Sequence, residues 1–504
     1  MSLAIVYSRA AAGMLAPAVN VEVHLSRGLP GFNIVGLPEK AVKESKDRIR
    51  SAILNCGFKF PAKRIVVNLA PADLRKEGGR FDLPMAIGIL LASEQIPEQP
   101  TENFEITGEL ELSGKLRAVN GILPFALATQ KSERTLILPK TNLEEAALLS
   151  KLPLLSAEHL IEIVDHMKGV RKLTPIFGET RKVFSQKTMD LSEVKGQSFA
   201  RRALEIAAAG SHSLLLSGPP GSGKTLLASC LPSILPPMRE QDALEVAALY
   251  SMSRQGFDHQ SWGLRPFRAP HHTASSRALV GGGSPPQPGE ISLAHQGVLF
   301  LDEFPEFSRQ SLEALREPLE AGKIVISRAA YQTEYPAKFQ LIAAMNPCPC
   351  GYASQKDNRC RCTSDQIRKY QLKISGPMLD RIDMHVMVSP LPNHLLLDTN
   401  QVEENSAVVA QRVLHAREYQ ETRLRKPNAW LSSSEVVSHC HWTAADRQFF
   451  TEAINRLQMS ARAYHRTLKL ARTIADLASS PSIKRSHLEE ALCYRVSGQP
   501  GTGG

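Results

Sequence analysis

The stretch that decides the fold is Gly218-Pro219-Pro220-Gly221-Ser222-Gly223-Lys224-Thr225, which follows the apolar run Leu214-Leu215-Leu216. It fits the pattern G-x-x-x-x-G-K-[ST], and a strand before it with a helix after it is the context in which this pattern binds phosphate. We expect backbone N–H groups to surround phosphate oxygens, Lys224 to contact the outer phosphates of ATP, and Thr225 to bind Mg²⁺. The alternative is a glycine-rich turn that only starts a helix.

Two further apolar runs end in polar side chains. Residues 298–301 read Val-Leu-Phe-Leu and are followed by Asp302 and Glu303, and residues 339–345 are followed by Asn346. At the carboxyl edge of a parallel sheet, Asp302 would hold Mg²⁺, Glu303 would orient and deprotonate the attacking water, and Asn346 would hold that water near the γ-phosphate. The alternatives are strand-end carboxylates without a function and an asparagine that makes a turn.

Strand-like and helix-like patterns alternate from residue 214 to about 390. This alternation predicts an α/β fold with a parallel sheet covered by helices on both faces. The pattern is helical from about 405 to 495, which predicts a helical lid. The predicted plan is an α+β domain at 1–167, a linker at 168–190, a P-loop ATPase domain at 191–392 with an insert at 348–362, a lid at 393–496 and a disordered tail at 497–504.

Composition narrows the class of protein. The 504 residues carry a net charge of +10, with a pI near 9.2, which weakly favours a polyanionic partner over a merely soluble basic surface. We find no apolar run long enough to span a bilayer, and the first residues lack the pattern of a signal peptide, so we expect a cytoplasmic protein. Eight cysteines in a chain of this length do not form a disulfide scaffold.

Four of the cysteines lie close together, as Cys348-Pro349-Cys350 and Cys360-Arg361-Cys362. Four thiolates suit a tetrahedral Zn²⁺ site, although the C-x-C spacing is tighter than the common C-x₂-C. The nine residues between the pairs are polar and have no core-forming pattern, so a metal would order them. The alternative is free thiols or redox-labile pairs.

Longer motifs carry a family resemblance. They are Arg265–Thr273, Ala278–Gly283, Pro288–His295 and Ile374–Asp383. With the P-loop, they resemble the Mg-chelatase-like branch of AAA+ ATPases, and within it the ComM (YifB-type) family. The resemblance covers nearly the whole chain.

The resemblance assigns roles to further residues. It implies that Arg381 is an arginine finger that reaches the γ-phosphate bound by a neighbouring subunit, where a guanidinium stabilises charge on the transferring phosphoryl group. The alternative is a surface arginine paired with Asp380 or Asp383. It also implies a second sensor at Arg462, or one helical turn later at Arg466.

The segment before the P-loop domain matches the place where relatives wrap the adenine. The residues concerned are Val194, Gly196 and Gln197, although this segment could be only a helix entry.

The resemblance also implies a function. A ComM-like protein is expected to have ATP sites between subunits and to form a ring, usually a hexamer. It is also expected to have helicase and branch-migration activity on single-stranded and branched DNA during natural transformation. Other recombination proteins are possible further partners. The rival function is the motor subunit of a metal chelatase that inserts Mg²⁺ into a porphyrin. A non-enzymatic scaffold is disfavoured by the intact Lys224, Glu303 and Arg381.

Relatives of this branch line a central pore with a hairpin and an inserted loop. The hairpin here would include Lys323 and Arg328, which could contact phosphates, and Tyr331, which could stack on a base. The inserted loop would include Phe267, Arg268 and the pair His271-His272. The alternative is that these are solvated charges. We reject metal binding by the two histidines, because adjacent residues on an extended segment point to opposite faces.

The N-terminal domain resembles the proteolytic domain of Lon proteases at Lys76–Ile87 and Gly108–Gly121. That family needs a serine nucleophile and a lysine base. Arg80 or Phe81 stands where the serine belongs, and about Leu123 stands where the lysine belongs. We therefore expect a Lon-like fold without peptidase activity, which argues against an ATP-dependent protease. The domain could bind DNA or organise the ring.

Overall fold

The computed structural model describes residues 3–97, 101–179, 188–283, 286–328, 331–353, 359–391 and 403–496. Arg328, Tyr331 and Val496 are described by backbone only. The predicted tail at 497–504 lies outside the described residues, as do residues 180–187 of the predicted linker, 354–358 of the predicted insert and the start of the predicted lid. None of the helices that the structure does describe is long and apolar enough to cross a membrane.

The N-terminal part contains two sheets with helices packed on them. Strands β1, β2, β4 and β3 form one sheet in that order, and β5, β8 and β9 form a parallel sheet beside it. The strands are β1 (Leu3–Arg9), β2 (Ala18–Ser26), β3 (Gly31–Val35), β4 (Arg64–Ala70), β5 (Phe104–Ile106), β6 (Glu109–Leu110), β7 (Leu116–Arg117), β8 (Thr135–Pro139) and β9 (Leu154–Ala157), and the helices are α1 (Lys40–Asn55), α2 (Asp82–Ala92), α3 (Ile122–Lys131), α4 (Leu143–Ala146) and α5 (Leu160–Met167).

The central part is built on a five-stranded parallel sheet in the order β11-β14-β17-β10-β18, which confirms the predicted P-loop α/β fold. The strands are β10 (Leu214–Ser217), β11 (Phe267–Arg268), β12 (Gly281–Gly282), β13 (Gln287–Pro288), β14 (Val298–Leu301), β15 (Lys323–Arg328), β16 (Tyr331–Pro336), β17 (Gln340–Met345) and β18 (Met384–Met387). The helices are α6 (Ser198–Gly210), α7 (Lys224–Cys230), α8 (Glu240–Met252), α9 (Ser276–Val280), α10 (Glu290–Leu293), α11 (Arg309–Glu313), α12 (Arg316–Ala321), α13 (Ser364–Gln371) and α14 (Gly376–Leu379).

Strands β14 and β17 are buried along their whole length and are apolar except for Gln340, as expected of strands covered on both faces. All five strands run in one direction, so the carboxyl ends of β10, β14 and β17 meet at one edge of the sheet. That edge is where ligands bind in sheets of this kind.

The C-terminal part is helical, with α15 (Ser406–Leu424), α16 (Ser433–His439), α17 (Ala444–Arg456), α18 (Ala461–Leu477) and α19 (Arg485–Val496). Its apolar side chains share one core with β10 and α6, so the lid is packed onto the sheet domain. The N-terminal part is also joined to the sheet domain, because α3 and α8 contribute to one apolar cluster.

Two hairpins project from the sheet domain and pack on each other. One pairs β15 with β16, so that Lys323 opposes Pro336 at its base and Arg328 opposes Tyr331 at its tip. The other pairs β12 with β13. The Tyr335 hydroxyl donates to the Pro286 carbonyl, which fixes the two hairpins together.

Candidate nucleotide site

Lys224 lies at the start of α7, directly after the phosphate-binding loop. Its ammonium donates to the Gly218 carbonyl at 2.8 Å, to the Pro219 carbonyl at 2.9 Å and to Asn346 Oδ1 at 3.2 Å. Burial lowers the pKa of Lys224, and the nearby Asp302 opposes that effect. The contact with Asn346 joins the ends of β10 and β17, so these two predicted site residues meet.

The other predicted residues meet one strand away. Thr225 Oγ1 donates to Asp302 Oδ2 at 2.8 Å, and Asp302 Oδ1 accepts from the Glu303 amide at 2.9 Å. A hydroxyl and a carboxylate in contact at the mouth of the loop are the two protein groups that hold Mg²⁺ in P-loop enzymes. Glu303 has a left-handed backbone conformation, with φ of 51°, which turns its side chain out of the strand direction.

These residues line a cavity of about 770 Å³. Its wall contains residues 220–226, Phe300, Asp302, Glu303, Met345 and Asn346, together with residues 269–272. The volume suits a nucleotide-sized ligand. The loop, two carboxylates and an amide can bind a triphosphate with Mg²⁺ and direct a water at its last phosphorus.

The two histidines belong to this cavity, which the sequence interpretation missed. His272 Nδ1 lies 2.9 Å from Glu303 Oε2, and the rings of His271 and His272 lie 4.1 Å apart. The two rings do not point to opposite faces, as was predicted for an extended segment. The chain turns here, because the Ala274 amide donates to the His271 carbonyl. Placing this segment in a pore loop is also corrected, since β11 is a strand of the main sheet and the histidines follow it at the nucleotide edge.

Arg268 lies in β11 and is engaged locally. Its Nε lies 2.7 Å from Glu290 Oε2 and its Nη2 lies 2.8 Å from Glu290 Oε1. A two-point ion pair of this kind neutralises the guanidinium in place. The structure therefore gives no support to the predicted contact of Arg268 with DNA.

The two arginines predicted to read nucleotide lie together, outside this cavity. Arg381 Nη2 lies 3.0 Å from Glu320 Oε2, and Arg462 Nη2 lies 2.9 Å from Glu320 Oε1. Arg381 therefore pairs with neither Asp380 nor Asp383, which was the alternative. Neither Arg381 nor Arg462 lines the cavity at the P-loop of its own chain.

Arg466 occupies a different environment from Arg462. It lies 2.5 Å from Asp383 Oδ1, and the Ser213 amide donates to Asp383 Oδ2 at 2.9 Å. Burial would raise the pKa of Asp383, but Arg466, His212 and the Ser213 amide outweigh burial and hold that pKa well below its usual range. Arg466 thus ties the lid to the start of the sheet, which leaves Arg462 as the stronger candidate for the second sensor.

The predicted adenine segment joins the sheet domain to the lid. The Gly196 amide donates to Glu403 at 2.7 Å, and the Gln197 side chain donates to the Ser389 carbonyl. Val194 is buried in the core that the two parts share. None of these three residues lines the 770 Å³ cavity.

The four cysteines meet at one point. Their Sγ atoms all lie within 4.8 Å of one another, with separations of 3.4 Å, 3.8 Å and 3.6 Å among Cys348, Cys350 and Cys360. Tetrahedral zinc with Zn–S bonds of about 2.3 Å requires sulfurs about 3.8 Å apart, so the donor set fits Zn²⁺. Backbone amides of Tyr352 and Arg361 donate to Cys350 and lower its pKa to about 6.

This cluster touches the nucleotide loop. Gly351 has φ of 87°, and a Cβ at that position would lie 2.5 Å from Pro220 Cδ. Only glycine fits both the left-handed conformation and the contact. The loop that carries the cysteine cluster therefore packs against the P-loop at Pro220.

The hairpin of β15 and β16 places Lys323 at its base. The Lys323 ammonium lies 2.8 Å from Glu334 Oε2 on the opposite strand, so this cation already has a partner. The side chains of Arg328 and Tyr331, which were also predicted to contact DNA, lie outside the described residues.

A second cavity beside the hairpins was not predicted. It has a volume of about 440 Å³ and is lined by Arg254, Ser275, Arg277 and four glycines in and around the β12–β13 hairpin, and none of the described residues in its wall is acidic. Both arginines are exposed. Gly281, Gly282 and Gly283 all have positive φ, with values of 101°, 143° and 117°. The run of three glycines was the sequence signal that could have found this site.

The N-terminal positions that matter for proteolysis hold buried side chains. Phe81 and Leu123 are fully buried, and Arg80 donates to the Asn120 carbonyl at 2.8 Å. Burial lowers the pKa of Arg80 to about 10. No nucleophile stands at the expected serine position, and no base stands at the expected lysine position.

Comparisons with known proteins agree with this architecture. Family models described as "Magnesium chelatase, subunit ChlI" and "Magnesium chelatase, subunit ChlI C-terminal" match residues 190–396 and 403–495. A model described as "Subunit ChlI of Mg-chelatase" matches residues 21–142. The N-terminal domain therefore does not by itself separate this chain from chelatase subunits.

Individual relatives are similar along nearly the whole chain. The competence protein ComM of Haemophilus influenzae is 53% identical over 500 residues, which cover 98% of each chain. The protein YifB of Escherichia coli is 49% identical over 496 residues, covering 98% of this chain and 97% of YifB. The maternal DNA replication licensing factor mcm6 of Xenopus tropicalis is 21% identical over 219 residues, 40% of this chain and 25% of that protein.

Proposed function

The chain belongs to the ComM (YifB-type) family of Mg-chelatase-like AAA+ ATPases, and we propose that it is a ring-forming, DNA-dependent ATPase that drives branch migration. In this proposal it works in the cytoplasm as a hexameric helicase and extends heteroduplex during natural transformation. The observation that carries the proposal is a P-loop cavity that contains Lys224, Thr225, Asp302, Glu303 and Asn346, in a chain 53% identical to a competence protein.

The hydrolytic roles follow from the contacts. Thr225 and Asp302 would hold Mg²⁺, which would supply positive charge against the phosphates. Glu303 takes the proton of the attacking water, and Asn346 orients that water. Lys224 exchanges its bonds to loop carbonyls for bonds to phosphate oxygens, because a charge-assisted bond to phosphate is stronger than one to a neutral carbonyl.

Completion of the site requires a second subunit. Arg381 and Arg462 lie side by side at Glu320, away from the P-loop of their own chain. In a ring they stabilise charge on the phosphates bound by the neighbour, as finger and sensor. The adenine is contacted by the chain whose P-loop binds the phosphates, through Val194, Gly196 and Gln197. These residues lie where the sheet domain meets the lid.

DNA is held by cations that face the space around the two hairpins. Arg254 and Arg277 line a cavity together with Gly281, Gly282 and Gly283, and no described residue of its wall is acidic. Such an arrangement suits backbone phosphates and reads no base sequence. Arg328 and Tyr331 stay proposed DNA contacts of the β15–β16 hairpin, while Lys323 pairs with Glu334.

A structural Zn²⁺ is bound by Cys348, Cys350, Cys360 and Cys362. The ion supplies no redox or hydrolytic chemistry here and only crosslinks the two C-x-C pairs. The contact of Gly351 with Pro220 makes the order of this loop matter for the P-loop. The N-terminal domain is Lon-like and non-proteolytic, and it helps to organise the ring.

The proposal is tested by measuring ATP turnover with and without DNA, alongside unwinding of three- and four-stranded junctions. We expect single-stranded DNA to raise turnover and ATP to drive strand displacement. A protein that hydrolyses ATP at one rate in all conditions and displaces no strand would contradict the DNA function and leave only the ATPase.

A further inference from the structure

One carboxylate joins three separate segments of the chain. Glu320 is the penultimate residue of α12, Arg381 follows α14, and Arg462 is the second residue of α18. Each oxygen of Glu320 contacts a different arginine, at 3.0 Å for Arg381 and 2.9 Å for Arg462. The proposed arginine finger, Arg381, and the proposed sensor, Arg462, therefore both pair with Glu320.

Arg381 has little freedom to make another contact. Its Nη1 donates to the Pro377 carbonyl at 2.8 Å, its Nε is buried without a partner, and the residue is 6% exposed. Nη2 is the nitrogen paired with Glu320. A phosphate of a neighbouring subunit would thus compete with Glu320 for Arg381, and the more highly charged phosphate would win once it is correctly placed.

Glu320 is also tied to the β15–β16 hairpin. Gly322 ends α12 in a left-handed conformation with φ of 66°, its amide donates to the Pro318 carbonyl, and its carbonyl accepts from the Ala337 amide at the other end of the hairpin. Lys323 then starts β15. The hairpin and α12 consequently move together, and a shift of the hairpin moves Glu320.

We propose that Glu320 is a positioning residue that keeps Arg381 and Arg462 from the neighbouring nucleotide until the hairpin is loaded with DNA. This role rests on the proposed function. DNA at the hairpin displaces α12, the carboxylate leaves the two guanidinium groups, and both become free to bind phosphate. ATP hydrolysis at one subunit then depends on DNA binding by the adjacent subunit, which supplies the two arginines.

The test compares Glu320→Gln with Glu317→Gln, a matched control on the same helix whose side chain is exposed. Because the Glu320 side chain is 41% exposed, its ion pairs contribute little free energy to holding the two arginines in place. We therefore expect Glu320→Gln to raise DNA-free ATP turnover only about threefold. The ratio of turnover with DNA to turnover without it should fall toward one. Nucleotide affinity should stay unchanged, and Glu317→Gln should behave as the wild type.

The conservative variant Glu320→Asp separates this role from a structural one. If the carboxylate restrains the two arginines, Glu320→Asp should keep the DNA-free rate closer to that of the wild type than Glu320→Gln does, whereas a role in packing alone would make the shorter aspartate the more disruptive change. An unaltered DNA-free rate in Glu320→Gln, or a fall in that rate, would overturn the inference. A wild-type protein that DNA fails to stimulate would contradict the proposed function instead, and the DNA-free rate of Glu320→Gln would still decide whether Glu320 restrains the arginines.

Discussion

His272 Nδ1 contacts Glu303 Oε2 at 2.9 Å, which joins the end of strand β11 to the end of strand β14 at the nucleotide edge. Glu303 has a left-handed backbone and a side chain about half exposed, so little else fixes the direction of its carboxylate. The imidazole is therefore the group that orients the proposed general base.

We expect His272→Ala to lower kcat about tenfold, which is a fraction of the roughly 10²- to 10⁴-fold that a general base contributes. Nucleotide affinity should stay within about twofold, because His272 contacts Glu303 and the P-loop is unchanged. His272→Asn, which keeps a donor close to the carboxylate, should recover part of the loss. Steady-state turnover and equilibrium nucleotide binding provide the two readouts, and a pure affinity defect would contradict the orienting role.

The two central residues of the site should separate binding from chemistry. Glu303→Gln should keep ATP affinity and lose turnover by at least about 10²-fold, since the amide cannot accept the proton of the attacking water. Lys224→Ala should weaken binding itself, because it removes the cation closest to the outer phosphates. Affinity and hydrolysis are measured separately. Near-normal turnover in Glu303→Gln would remove Glu303 from the mechanism.

The sequence predicted those parts of the site that local patterns control. The P-loop pattern pointed to Lys224 and Thr225, and apolar strands followed by polar residues pointed to Asp302, Glu303 and Asn346, because parallel strands place their carboxyl ends at one edge. It did not predict the position of His272, since a turn after the two-residue strand β11 brings both histidines to one side. That turn depends on tertiary contacts which spacing does not record.

The same limit applies to charge pairs. Nothing in the sequence links Glu320 to Arg381 and Arg462, which lie 61 and 142 residues further along the chain. Ion pairs between distant segments follow from packing rather than from periodicity. The predicted DNA contacts of Arg268 and Lys323 lost support for the same reason, because their acidic partners become neighbours only in the folded chain.

Assembly in a ring should allow complementation between two inactive variants. Arg381→Ala leaves a subunit with an intact P-loop, and Lys224→Ala leaves one with an intact finger. Mixed rings then contain some sites with both groups, so turnover should exceed that of either parent. Turnover is followed across mixing ratios, with co-assembly verified by size. Mixed rings that stay inactive at every ratio would place Arg381 outside the neighbouring site.

Metal content should follow the four thiolates. We expect about one Zn²⁺ per chain in the wild type and a loss of most of it in Cys348→Ser/Cys360→Ser. Cys440→Ser, at a buried cysteine far from the cluster in sequence, is the control. Because Gly351 packs on Pro220, loss of zinc should also weaken nucleotide binding. Elemental analysis and nucleotide titration measure both effects, and equal metal content in the three proteins would rule out the site.

DNA binding should depend on the cavity beside the hairpins more than on the base of the β15–β16 hairpin. Arg254→Ala/Arg277→Ala removes two exposed cations from a wall whose described residues include no acid, so two phosphate contacts per engaged subunit should disappear. For single strands, each lost contact flattens the slope of log K against log salt by about 0.7. Lys323→Ala should change the slope little, because Glu334 already neutralises Lys323.

The control for charge alone is Arg447→Ala/Arg456→Ala, which removes two exposed cations from α17 of the lid. A fluorescent single strand is titrated at several salt concentrations for all variants, and junction unwinding is timed under excess ATP. Unwinding should fall more than binding in Arg254→Ala/Arg277→Ala, since each stroke needs a firm grip whereas equilibrium binding can use other subunits. Equal slopes for the cavity variant and the lid control would mean that the hairpin cavity does not touch DNA, and the contacts would then be sought at the tip of the β15–β16 hairpin and on the N-terminal domain.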